Sequence, residues 1–392
     1  MRSLGRWGVP VYNLDPDPWA PAFSSRYCCG RFVWDIDGAR VEDSLEYLFA
    51  AARRIAAPCI LIPTTDRTAL FVAEHANVLR GWFRFQDNSP QLVRALCSKQ
   101  EMYWLARAAG VPTAEAAFPK SRIDVVNFLG RARFPIMLKG IDGARLWERT
   151  GKKMFIVRNQ KELLERYDQV EDPAHPNLML QEYIPGGDDT VWMFNGYFDE
   201  RSDCLLGFTG KKIRQCPVYT GCTSLGICLQ NDAVDGTTRK FMKAIGYRGI
   251  LDIGYRFDAR DGQYKVLDVN PRIGATFRLF VADNGMDVAR AMYLHTQGAA
   301  VPAAKPREGR KWIVEDLDTV SCFRYWRDGN LTFRQWLASF RGLEEAAFLA
   351  ADDLRPLLPL LVNRFRELLR RTIRGARNRR GRARSHHRVR YA

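Results

Sequence analysis

The 392 residues, 46% apolar and 27% charged, have the composition of an ordinary globular protein, with chain enough for two or three domains. No run of 18 apolar residues is present to cross a membrane, the start "MRSLGRWGVPVYNLD" lacks the apolar stretch of a signal peptide, and nine cysteines without a Cys-x-x-Cys pair make neither a disulfide framework nor a zinc site. The net charge of +16 suggests a nucleic-acid binder until it is located: residues 364–392 hold twelve arginines against one acid, so +11 of it is a property of the tail.

Cys216, Cys222 and Cys228 recur at intervals of six, which fits no metal-ligand pattern; reduced thiols in a reducing cytoplasm are the expectation. At the start, "GVPVYNLD" (Gly8 to Asp15) and "APCILIPTTD" (Ala57 to Asp66) are strand candidates. Between them "VEDSLEYLFAAARRIA" places Leu45, Leu48, Phe49 and Ala52 on one helical face. Strand, helix, strand predicts a parallel α/β unit. "RSLGRWG" reads as the end of a helix feeding a strand, so a preceding strand and glycine loop are expected to be missing. The first domain is expected over residues 1–95.

"CSKQEMYWLARAAGVPT" predicts a helix capped by Ser98, with Glu101 in the capping-box position and Gly110 as its stop. "RFPIMLKG" is a buried strand ending near Lys139, and "RTGKKMFIV" a basic glycine turn leading into another strand. "NLMLQEYIPGGDDTVWMFN" gives two strand-like runs around Pro185-Gly186-Gly187. Neither Gly151-Lys152 nor Gly210-Lys211 stands in a phosphate-loop frame.

"GILDIGYRFDARDGQYKVLDVNPR" predicts a hairpin. Leu251, Ile253, Tyr255 and Phe257 share one face; Asp252, Gly254, Arg256 and Asp258 share the other. A three-residue loop, Arg260-Asp261-Gly262, pairs Ala259 with Gln263, so that Asp268 faces Gly254 and Asn270 faces Asp252 while Leu267 and Val269 enter the core. Carboxylates and an amide oxygen gathered on one strand face repel each other unless a cation sits between them. Hard oxygen donors suit Mg²⁺, with Asp268 and Asn270 as ligands.

These segments, in this order, resemble the ATP-grasp ligases, and among them the ATP-dependent carboligases (carboxylate–amine ligases). The resemblance covers about residues 1–300. It implies an α/β fold of the ATP-grasp kind: an N-terminal parallel α/β domain (1–95), a two-lobed ATP-grasp domain (96–300, lid about 119–180), a helical extension (301–363) and an Arg-rich tail (364–392). It implies Lys99, Lys139 and Lys153 on nucleotide phosphates. Adenine would fall to Glu182 and the backbone of Tyr183 and Ile184, and ribose to Asp189. Asp268, Asn270 and, in place of the carboxylate the family carries where Gly254 stands here, Asp252 would hold Mg²⁺ or Mn²⁺. Arg272 would face transition-state charge, and Lys211, Lys212 and Arg214 of "GFTGKKIRQCP" would line the mouth. The family's glycine-rich flap is here the bulky, basic "GARLWERTGKK".

The activity implied is joining a carboxylate, activated by ATP as an acylphosphate, to an amine. The alternative is an inactive scaffold, or an anionic-surface binder using the tail. The extension's recurrent Trp and Phe are expected to pack against the ligase, with nucleic-acid stacking the lesser alternative. Pro356 and Pro359 should confine the helix before the tail to about Leu360 onward. The tail is expected to be disordered unless bound, with an anionic membrane surface, RNA or no specific partner all open; contact with the membrane would place a cytoplasmic protein at the inner membrane face. Small carboxylates and amines are the expected partners, and nucleic acid is not.

Overall fold

A computed structural model describes residues 1–152 and 154–366, which fall into two compact units: residues 1–51 with those from 346 on, and residues 52–345. Among the described residues no helix is long and apolar enough to cross a membrane. All nine cysteines are free thiols.

In the first unit, strand β1 (Val11–Asp15) pairs in parallel with β2 (Cys28–Val33). The Trp34 ring stacks on Tyr47 of the Val41–Ile55 helix, centroids 4.5 Å apart, and its indole N–H donates to Ser44 Oγ at 3.0 Å. Both ends of the described chain meet at Asp353, a buried carboxylate that accepts from Arg2 Nε (3.2 Å), Ser25 Oγ (2.6 Å) and the Arg26 amide (2.9 Å). The α/β character is as expected, but the pairing is not. The segment 57–66 keeps only β3 (Cys59–Ile60), which pairs in parallel with β4 (Phe83–Arg84) in the second unit. Pro58 and Pro63, without amide hydrogens, bound it on both sides. Residues 357–366 are helical, starting before Leu360, because Pro359 lies in the first turn where amide hydrogens have no helical partner. The tail from residue 367 lies outside the described residues.

The second unit holds two antiparallel sheets. The smaller runs in the order β5 (Ala116–Ala117), β8 (Leu178–Glu182), β6 (Ile136–Gly140), β7 (Met154–Val157). Ile136, Leu138, Leu178 and Leu180 pack under the helices around Phe128, Leu146 and Leu163, all at most 1% exposed. The larger sheet has the order β13 (Gln263–Asn270), β12 (Gly249–Asp258), β9 (Val191–Phe198), β10 (Cys204–Cys216), β11 (Cys222–Cys228), β14 (Lys311–Ile313), β15 (Leu343–Ala346). Phe194, Phe198, Leu251, Ile253, Tyr255 and Val269 make one face a dry core with Val234, Phe241 and Met242 of the Asp232–Ile245 helix. The residues alternating with them form the opposite face.

The Glu315–Arg327 helix departs from the expected core packing. It turns its polar side, Asp318, Ser321 and Tyr325, onto the protein, while Phe323 and Trp326 stay 63% and 62% exposed. Asp318 accepts two 2.8 Å hydrogen bonds from Arg214 of β10, and both side chains are nearly inaccessible to water. A buried carboxylate of this kind cannot be removed alone without stranding its guanidinium. Asp318→Ala should therefore cost about 3–5 kcal/mol, read as a lowered urea midpoint with unchanged slope. A midpoint matching the parent would show that Arg214 does not depend on this partner.

Candidate active site

The hairpin β12–β13 is the foundation of the site. Asp252 pairs with Asn270 and Gly254 with Asp268, as the sequence predicts. The route there differs. Asp258, not Ala259, pairs with Gln263, so the loop is one residue longer than expected, and a bulge at Leu267 restores the register before Asp268. Val266 rather than Leu267 consequently joins Val269 in the core.

Asp252, Asp268 and Asn270 share the face away from that core. The Asn270 amide Nδ2 lies 3.3 Å from Asp252 Oδ2 and 3.5 Å from Asp268 Oδ2, spanning the two carboxylates. Two glycines make the room. A Cβ on Gly254 would stand 2.4 Å from Asp268 Oδ1, and one on Gly274 2.4 Å from Asp252 Cγ. Behind them, buried Asn195 of β9 sits directly opposite Asp252, with its Oδ1 unpartnered. Burial first, then the neighbouring Asp268 charge, lifts the Asp252 carboxyl to about 6, against the pull of Arg272 and Lys212. Among the described residues no three His, Cys, Asp or Glu side chains gather into a metal-binding group. The two carboxylates in their glycine cradle fit a hard divalent cation that takes its other ligands from phosphate and water; the Asn270 amide presents its nitrogen to them and its oxygen to Arg272, so Asn270 would join as an oxygen ligand only with its amide turned over.

Cations surround this face. Arg272 follows β13 and is fixed by Asp66 Oδ1 (2.8 Å from Nε), Asn270 Oδ1 (3.0 Å) and the Ile273 carbonyl (3.1 Å). Lys139, at the end of β6, donates to Gln181 Oε1 at 2.6 Å. Its ammonium is pushed down to about 8, chiefly by burial and then by Lys99 and Arg256, against the opposing pull of Asp268. Lys99, first residue of the Lys99–Ala108 helix, donates to the Gly140 and Ile141 carbonyls at 3.0 and 3.1 Å. That helix starts at Ser98, whose Oγ accepts the Glu101 amide.

The three cations of "GKKIR" separate. Lys212 lies on the carboxylate face and donates to the Gly221 carbonyl at 3.0 Å. Lys211 alternates to the other face, its ammonium 5.4 Å from the Trp192 ring centre. Arg214, expected at the mouth, is instead buried against Asp318, with its third nitrogen on Ser339 Oγ. An irregularity in β10 between Lys212 and Arg214 breaks simple alternation there.

The segment joining the sheets also differs in detail. Glu182 accepts from Arg260 of the hairpin loop at 2.7 Å, the Tyr183 amide is spent on the Pro135 carbonyl, Ile184 is 3% exposed, and Asp189 is open to solvent. Three residues the sequence reading did not single out complete this region. Arg256 lies 5.6 Å from the Tyr183 ring centre and donates to the Gly186 carbonyl. Asp188 accepts from Gln215 Nε2 (2.6 Å) and from the Tyr325 hydroxyl. Asp66 secures Arg272. Arg256 was visible in principle, standing on the same alternate face as Asp252. Lys153 lies outside the described residues.

The charge on Asp252 sets a pH dependence with a definite sign. Its folded-state pKa of about 6 lies above the ordinary carboxylate value of 3.8, so the folded chain holds the extra proton between the two, and the group's favourable contribution is lost as pH rises through about 6. Asp252→Asn should therefore raise Tm at about pH 7.5, an advantage that shrinks towards zero at about pH 4. A Tm difference that ignores pH would mean that Asp252 titrates normally.

No family model matches the chain. It is 23% identical over 240 residues to a D-aspartate ligase of Enterococcus faecium (strain Aus0004), covering 59% of this chain but only 57% of that protein. Among solved structures, N5-carboxyaminoimidazole synthetase from Staphylococcus aureus complexed with ADP superposes with a TM-score of 0.58, at 13% identity over 78% of this chain and 75% of that one. An L-amino acid ligase from Bacillus licheniformis gives 0.54, at 15% identity over 78% and 71%. Both likenesses extend over more than three quarters of this chain and are likenesses of fold: the chain has the ATP-grasp fold.

Proposed function

We propose that the chain is an ADP-forming ATP-grasp ligase that activates a carboxylate as an acylphosphate and joins it to an amine. The observation that carries the reading is the convergence of Asp252, Asp268, Asn270 and Arg272 on one strand face, with Lys139 near enough to feel the Asp268 charge. An inactive scaffold gains nothing from holding a repelling carboxylate pair beside a desolvated lysine, and that reading is not favoured.

In this proposal ATP lies between the sheets. Lys139 and Lys99 neutralise phosphate oxygens, Glu182, Tyr183, Ile184 and Asp189 border the nucleoside, and Lys153 belongs to the same phosphate set. Asp252, Asp268 and Asn270 would hold Mg²⁺ (or Mn²⁺), which supplies charge neutralisation between phosphates. Such a transfer asks mainly for positioning and electrostatics. Arg272, locked by Asp66 and Asn270, presents a fixed cation where charge builds on the transferred group. Lys212 is placed to receive phosphate or the substrate carboxylate, whereas Lys211 stands on the opposite face of the sheet, against Trp192. The functional division follows as 1–95, 96–300 with a lid at about 119–180, 301–363 and the tail from 364. Small carboxylates and amines are the proposed partners. The likeness to D-aspartate ligase makes D-aspartate the first acid to offer.

Phosphate release from Mg·ATP, screened over D-aspartate, other amino acids and small carboxylates, should find an active pair. Asp268→Asn and Asn270→Ala should abolish that turnover with Tm within a few degrees of the parent, since both face the cleft. Lys139→Ala should weaken ATP binding by at least about tenfold, the worth of one lost charge-assisted contact. Absence of ATP binding in calorimetry with magnesium present would overturn the reading.

The tail is a separate proposal, a salt-sensitive contact with an anionic membrane face. Deleting residues 364–392 should spare turnover on soluble substrates yet sharply reduce adhesion to anionic vesicles, at roughly 1 kcal/mol for each arginine near the surface. Equal adhesion of intact and shortened chains at low salt would refute it.

A further inference from the structure

The Glu315–Arg327 helix is inside out. Taken at 100° per residue, Asp318, Ser321, Cys322 and Tyr325 form one arc, and that arc is turned to the protein. It is secured by the Arg214–Asp318 pair, by Ser224 Oγ at 3.0 Å from both Asp318 Oδ1 and Ser321 Oγ, and by Tyr325 on Asp188. The opposite arc carries Val320, Phe323 and Trp326, 64%, 63% and 62% exposed, with Arg327 between them, Arg324 at the edge and half-buried Asp316 in the first turn. The next helix, Phe333–Ser339, has apolar residues on both sides: Phe333 (67%) and Leu337 (51%) point outward at i, i+4, while Trp336 and the following Phe340 are half-buried. A helix free to choose would bury Val, Phe and Trp and leave Asp and Ser in water. This one is held the other way by a buried ion pair, at the expense of leaving Val320 and the Phe323–Trp326 ring pair, centroids 5.9 Å apart, wet. Such a surface marks a docking face rather than scattered exposed residues.

We infer that the exposed arcs of these two helices form a second membrane-docking face that enters the interfacial layer of an anionic bilayer. Residues 320–341 hold four arginines, Arg324, Arg327, Arg334 and Arg341, against a single acid, Asp328. Asp328 is paired with Arg324 at 3.3 Å. Aromatic and aliphatic side chains interleaved with arginine are the composition that sinks into the boundary between headgroups and acyl chains, with the guanidinium groups reaching back to phosphate. A second copy of the chain fits less well, since a two-fold contact through this patch would bring like arginine-rich surfaces together. A nucleic acid would gain stacking from the aromatic rings but nothing from Val320 and Leu337. The inference does not depend on the ligase reading. It also differs from the tail in physics: insertion of apolar side chains resists salt, whereas the tail's attraction does not.

The test uses the full-length chain and mixed phosphatidylcholine–phosphatidylglycerol vesicles at low and at high salt. Phe323→Ser with Trp326→Ser, and separately Phe333→Ser with Leu337→Ser, should each lower partitioning at high salt by at least about tenfold, with Tm unchanged. In the parent, brominated lipid should quench tryptophan emission, and Trp326→Phe should remove most of that quenching while keeping partitioning. Parent-like partitioning of both double variants at high salt would overturn the inference. So would loss of self-association in sedimentation, or of RNA binding, as the principal effect of the same substitutions.

Discussion

Two carboxylates on adjacent strands repel one another, and much of the large sheet is arranged to keep them together. Asp252 and Asp268 could relieve the strain by swinging apart, yet Gly254 and Gly274 give each a slot with one shape, and Asn270 spans both. The core beneath, from Phe194 to Val269, fixes the backbone that carries them. Asn195 backs the pair from β9, Arg272 balances it from the strand end, and Asp66 then holds Arg272. The desolvation visible in Asp252 is the cost of this order, and Lys139 bears the corresponding cost in the opposite sense across the cleft. Burial thus shifts an acid upward and an amine downward within one site, each toward neutrality.

How much of this was legible follows from the range of the interactions. The Asp252–Asn270 and Gly254–Asp268 pairings lie within one hairpin, so alternation and turn chemistry reach them. They were reached with compensating errors, a longer loop and a bulge at Leu267, neither of which leaves a mark on a pattern of apolar residues. Lys212 and Lys211 were separable by alternation alone. Arg214 was not: its place is decided by Asp318, 104 residues on, and no local rule announces that partner. The same holds for Arg272 and Asp66, 206 residues apart, and for Asp188 with Tyr325. Short strands suffered most. Cys28–Val33 carries no strand-like alternation of its own, and the proline-flanked segment 57–66 promised more β structure than its backbone can donate to.

The helical extension shows how polar burial can specify orientation. Hydrophobic pattern by itself would have rolled the Glu315–Arg327 helix by half a turn. The fork of Arg214, closed on Asp318 and flanked by Ser224 and Ser321, prevents that. Conformational specificity is thus obtained from a pair whose net contribution to stability is small. The same helix reaches the segment joining the sheets through Tyr325 on Asp188, so the wet aromatic face and residues 183–190 are attached to opposite sides of one rigid element.

The meeting of Arg2, Ser25 and Arg26 with Asp353 has a consequence for the order of events during synthesis. Residues 52–345 contain all the partners of their two sheets apart from the last residue of β15, and can collapse while the chain is still being extended. The unit around β1 and β2 cannot: its central carboxylate arrives more than three hundred residues after its first guanidinium, at a separation of 351 between Arg2 and Asp353. Closing so long an interval is slow and entropically opposed, and until it closes the first fifty residues leave the ribosome without their buried partner. The segment that carries β1 and β2 is therefore made well before it can be finished.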